Sequence, residues 1–290
     1  MRAEVRPRHW VAAHNNVNRL VGLMTISSLS AAQISALPAT VIQALSTTEI
    51  QSLSSTQVGA INTSGIAVIN ATQLAALSST QVRGLTATQI PVIDSTLVFD
   101  TNQLLVLNGQ QFGSLTNTQL QALDTTHVAV FNTTQIGALT TTKLSALEAT
   151  QVGALSATQI GGVTATQITG LTATDIGEFL DTQLGAMNAT QLRAITSTNL
   201  SALESTQVDT LTSTQVASLT TTQLRGLTET DIGELAATQL AGLSATQIGA
   251  LTATAFSALD STQVGALTTT QVRGVTATQI AGLSTTDITE

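Results

Sequence analysis

Residues 151–174 read QVGALSAT QIGGVTAT QITGLTAT, three octads laid end to end. Each opens on Gln, and the same slot is Gln at 183, 191, 207, 215, 223, 239, 247, 263, 271 and 279. Asp175, Asp231, Asp287, Asn199 and Ala255 fill it elsewhere. Backwards, the frame runs through Lys143, Gln135, His127, Gln119, Gln111 and Gln103. A two-residue deletion separates Gln103 from Leu97. The frame then continues to Gln33, with a degenerate copy at Thr25, giving 34 octads in all. A repeat this dense decides the fold before any other feature does. A longer period lies over it. KLSALEATQV begins at 143, NLSALESTQV at 199 and AFSALDSTQV at 255, each seven octads after the last. Seven octads therefore form a higher unit, read either as a block duplication or as one superhelical turn.

The octad predicts a short helix. Three residues before the anchor stands Ser, Thr, Asn or Asp in 28 of 34 copies; Gly22, Pro38, Glu148, Leu180, Glu204 and Ala236 are the exceptions. Those four residue types cap helix N-termini, because a side-chain oxygen accepts an otherwise orphaned backbone N–H. A Gln three positions on completes a capping box, and the apolar residues flanking the box sit where a hydrophobic staple would. The next cap follows one octad later, so each helix has about one to one and a half turns. Gly162, Gly170 and Gly242 fall where it would stop, a place suited to glycine. So short a helix is unstable alone and needs stacked neighbours. The expected fold is an all-α solenoid of one-to-two-turn helices over 21–290, after a divergent basic arm or cap at 1–20. The alternative is a β-solenoid, which Thr-x-Thr, Val and Ile favour. Apolar spacings of three and five count against a single strand, whose side chains alternate with period two.

Two large apolar residues and a small slot per octad predict a continuous core ladder. It takes in all five Phe: Phe99, Phe131 and Phe179 before the cap, Phe112 and Phe256 after the anchor. The Thr before the anchor (Thr158, Thr166, Thr174) is more uniform than the cap. Its hydroxyl or methyl is expected to pack between adjacent turns, with an outward threonine array as the alternative.

Composition excludes several functions. The chain has no Cys, so no disulfide, thiolate metal site or Cys nucleophile is open to it. Nine Lys and Arg against seventeen Asp and Glu give a net charge of −8, the wrong balance for a broad nucleic-acid partner. Apolar content of 42% with only 9% charged residues is unlike a disordered chain. No apolar run reaches the length of a transmembrane helix.

Residues that carry chemistry are few. His9 and His14 lie in the arm with Arg2, Arg6, Arg8, Arg19 and Trp10, and His127 occupies an anchor slot. Asp175, Asp231 and Asp287 replace capping Gln, where a carboxylate suits the helix dipole. Glu178 and Glu234 are read as structural too. Arg83, Arg193, Arg225 and Arg273 share one slot and are expected on a solvated face. Asn-x-Ser/Thr at Asn62, Asn70, Asn132, Asn188 and Asn199 is what chance gives in so Thr-rich a chain. No catalytic, cofactor-binding or metal-ligating residue is assigned, and no cofactor is expected. The arm lacks the apolar region of a secretory signal. The last residues, LSTTDITE, stop within the pattern and suggest an open end that stacks on another copy, or a fragment of a longer array.

The run LSATQIGGVTATQITGLTATDIG resembles Thr/Gln octad tracts of large bacterial surface and secreted proteins, some labelled adhesins or haem-utilisation proteins. The resemblance covers about 25–290 and rests on T-x-Q-[IV]-x-x-L, which carries no haem-binding or catalytic residue. It implies an extracellular or cell-surface role. The expected function is a non-enzymatic structural protein that assembles end to end, through solenoid ends and arm, into a filament, sheath or adhesive fibre. Its partner is then another copy of itself, without nucleic acid or a membrane span. The alternative is a repeat scaffold that binds a protein or glycan through the Arg-bearing slots. Ice binding by Thr-x-Thr rows ranks below both and requires the β-solenoid.

Overall fold

A computed structural model describes residues 25–284. The basic arm, with His9 and His14, lies outside the described residues, as does Asp287. Among the described residues are thirty α-helices of four to six residues and two 3-10 turns, with no strand. The fold is an all-α solenoid. The β-solenoid is excluded, and ice binding loses the flat threonine rows it required.

The octad at 163–170 shows why each helix forms. Thr164 is extended (φ −82°, ψ 155°), and its Oγ1 accepts the Gln167 N–H at 3.3 Å. Gln167 Oε1 in turn accepts the Thr164 N–H at 2.7 Å, closing the capping box. Such a cap contributes about 1 kcal/mol. Helix Ala165–Thr169 follows. It ends on a tightened turn, in which the Leu171 N–H donates to Ile168 O. Val163, Ile168 and Leu171 are all buried. The staple residues are thus the core itself.

The anchor does more than cap. Its Oε1 is spent on the box, and its Nε2 reaches the turn before. Gln167 Nε2 donates to Leu139 O at 2.7 Å, 28 residues back. Gln183 donates to Leu155 O at 2.6 Å and Val152 O at 2.8 Å, 28 and 31 residues back. In the N-terminal part Gln73 does the same to Leu45 O and Ile42 O. One turn of the superhelix therefore takes 28 residues, or three and a half octads. Seven octads make two turns, which corrects the alternative reading of the period as one superhelical turn. Because half an octad is left over, each anchor sits across the junction between two octads below it. The chain divides into two compact units, one running to Ala138 and one starting at Leu139, and this register holds inside each.

The deletion is absorbed by one turn. Residues 94–99 carry no helix. Asp94 Oδ1 accepts from the N–H and hydroxyl of Thr96, and the Leu97 N–H closes a turn on Asp94 O. Anchors spanning this loop reach back 26 residues (Gln103 to Leu77, Gln119 to Ile93), and Gln135 returns to 28. The chain shortens without breaking the amide ladder.

Glycine stands at helix ends as expected, Gly170 among them, and has a second role. Among the described residues none has positive φ, and Gly170 ends its helix at φ −93°, so no left-handed stop is used. The small slot instead lets turns touch. A Cβ at Gly84 would overlap the carbonyl of Ser55, and one at Gly274 that of Ala245. All five Phe are buried as expected, and Phe112 meets Phe131 edge-on with ring centroids 4.7 Å apart.

Candidate functional site

The sequence-selected residues are mostly occupied in holding the fold. Asn62, Asn70, Asn132 and Asn188 are helix caps whose Oδ1 accepts a backbone N–H. Asn62 adds the amide reach that Gly65 lacks, donating to Ser35 O and Leu37 O. Asn199 is a buried anchor that donates to Leu171 O. His127 Nδ1 lies 2.7 Å from Asp124 Oδ1 within one helical turn. The Asp124 carboxyl is held far below its ordinary range, first by the Thr126 hydroxyl, then by the His127 backbone and ring. Arg83, Arg193, Arg225 and Arg273 are all exposed, as expected, though Arg193 Nε is tied to Ser218 O.

Two acidic groups recur seven octads apart in the second unit. Asp175 accepts from the Thr172 N–H and the Ser145 hydroxyl, and Asp231 from the Thr228 N–H and the Ser201 hydroxyl. The carboxylate keeps the capping role of Gln. It has no amide to give, so a serine hydroxyl from the turn below supplies the proton instead. Beside each stands a glutamate whose pKa is raised: Glu178 by burial, then Asp175 and Glu148; Glu234 by burial, then Asp231, Glu204 and Asp209. Cavities of about 10 and 20 Å³ lie next to Asp175 and Asp231, room for one water at most. Among the described residues no group of three or more His, Asp or Glu is placed to hold a metal.

The threonine before the anchor is exposed in every described octad that has it, Thr158, Thr166 and Thr174 included. This corrects the expected packing between turns. At that position of a capped helix the side chain points away from the turns above and below, and the array faces solvent.

One surface departs from this pattern. The apolar residue after the anchor points towards the following turn, and Ile232, Leu240 and Ile248 are fully buried there. In the last described turn the same slot holds Val264, Val272 and Ile280, exposed by 45%, 54% and 59%. They edge a depression of about 260 Å³ floored by Phe256, Leu259 and Leu267. The first described turn has the opposite character. Its Ile34, Ile42 and Ile50 are buried, while the anchors Gln33 and Glu49 are exposed. Each turn is polar in the direction its anchors face and apolar in the direction its core residues face. No helix among the described residues is long and apolar enough to cross a membrane. No known protein family matches the chain, and no curated protein matches it either.

Proposed function

We propose that this is a structural repeat protein, not an enzyme, whose solenoids stack end to end with other copies. The product is an extracellular filament, sheath or adhesive fibre. The observation that carries this reading is the uniform turn-on-turn interface, in which residues such as Ile232, Leu240 and Ile248 are fully buried. Uniform octads suit a load-bearing or spacing part. The surface location rests on the resemblance to bacterial surface tracts. Electron microscopy and sedimentation of purified protein at rising concentration test the reading. End-to-end particles would support it. Single particles at every concentration would count against it.

A further inference from the structure

Two stretches of the second unit are near-copies, and their difference marks a surface. Residues 172–187, TATDIGEFLDTQLGAM, recur seven octads later as TETDIGELAATQLAGL at 228–243. The two fold alike. Asp175 and Asp231 make the same bonds, and Leu180 and Ala236 each donate their N–H to the Gln three residues on. Leu180 and Asp181 stand where the later copy has Ala236 and Ala237, so the turn itself requires neither. Leu180 is 49% exposed. With Asp181, Glu178 and Glu204 it edges a depression of about 440 Å³. The depression lies between two successive interior turns, at 177–182 and 204–207, so no chain end opens it. Glu178, Asp181 and Glu204 have no cationic partner among the described residues. An exposed leucine ringed by three carboxylates fits a segment that brings cations and one large apolar group together.

The sequence contains such a segment at 1–20. It holds Arg2, Arg6, Arg8 and Arg19 against Glu4 alone, and the chain's one Trp, Trp10. The rest of the chain has five basic and sixteen acidic residues. We propose that the basic arm of a second copy docks in this depression, its arginines on Glu178, Asp181 and Glu204 and its Trp10 over Leu180. A guanidinium matches a carboxylate with two parallel hydrogen bonds, and tryptophan and arginine are the side chains that most often anchor a protein contact. The contact lies between interior turns and does not depend on how the ends of two solenoids meet.

The test uses the full chain. Leu180→Ala with Asp181→Ala gives the depression the sequence of the later copy, which folds with alanine at both positions. Arg6→Glu with Arg8→Glu reverses the arm and leaves the depression intact. Self-association is measured by sedimentation at low salt. The parent is expected to associate, and each double variant to require a concentration at least about tenfold higher, with circular dichroism unchanged. An equimolar mixture of the two variants is expected to recover association, because one supplies the arm and the other the depression. Salt at about 1 M is expected to weaken the parent's association. Either variant associating as the parent does would overturn the inference and leave the end-to-end reading standing. A mixture no better than its components would also overturn it. Single particles of the parent at every concentration would overturn both.

Discussion

At the residue scale the protein depends on one property of glutamine, an acceptor and two donors on a single planar group. Gln135 is fully buried, with Oε1 on the Asn132 N–H and Nε2 on Leu104 O and Leu107 O. Gln135→Ala orphans these groups and is expected to destabilise by about 1–3 kcal/mol for each one left buried and unpaired. Gln135→Glu keeps the cap but faces a buried carboxylate with two carbonyls, and is expected to cost more at neutral pH. Burial raises the pKa of such a carboxyl, so the gap between the two variants closes as pH falls; denaturant melts at neutral and at mildly acidic pH measure it. The native glutamates follow the same sign. Glu178 and Glu234 have folded pKa values above the ordinary 4.5, so the folded state holds their protons longer than the unfolded state. Their contribution is present below 4.5 and is lost as pH rises through the folded values. Glu178→Gln with Glu234→Gln is expected to raise the melting temperature at neutral pH and to flatten its fall as pH rises from 4.5 towards neutrality. An unchanged pH profile would contradict this. The capping box was legible in T-x-x-Q. The amide reach was not, since its acceptors lie a full superhelical turn back along the chain. A signal was present all the same: a box accepts Glu as readily as Gln, yet Glu stands at a described anchor only at 49.

At the element scale the helices are the ones read from the octad, in length, cap and staple. The anchor half of the box proves the more persistent. Leu180 and Ala236 offer no side-chain acceptor, yet their N–H groups still donate to Gln183 and Gln239, which the turn below already fixes. Leu180 is 49% exposed in a slot that suits a capping oxygen. Leu180→Thr is expected to stabilise by about 1 kcal/mol, measured by chemical denaturation; a loss of stability would show that Leu180 packs in a way its exposure conceals. The octad locates the glycines and their place at helix ends, but not their close approach to another turn. A stop signal is local and readable, whereas close approach depends on a segment one turn earlier in the chain. Gly84→Ala is therefore expected to destabilise by roughly 1–3 kcal/mol through overpacking against the Ser55 backbone. Gly153→Ala, where a Cβ meets nothing, is expected to be neutral or mildly stabilising.

At the scale of the whole molecule, three and a half octads per turn explain the seven-octad period. A duplication that preserves both the octad frame and the position around the superhelix must add seven octads, the shortest length that is whole in octads and in turns. Ser145 with Asp175 and Ser201 with Asp231 are copies at that spacing, each pair bridging adjacent turns. Duplication and superhelix, which the sequence alone sets against each other, are the same fact. The factor of two was illegible because no residue within an octad states how many octads close a turn. The absence of cysteine makes the turn length directly testable. A Cβ placed on Gly185 lies 4.0 Å from that of Thr210, within the span a disulfide bridges. The chain with Gly185→Cys and Thr210→Cys, oxidised at low concentration, is expected to form one intrachain disulfide, seen by mass spectrometry of the monomer, while Gly185→Cys with Thr198→Cys stays reduced. Free thiols in the first pair, or equal bridging in both, would contradict a turn of three and a half octads.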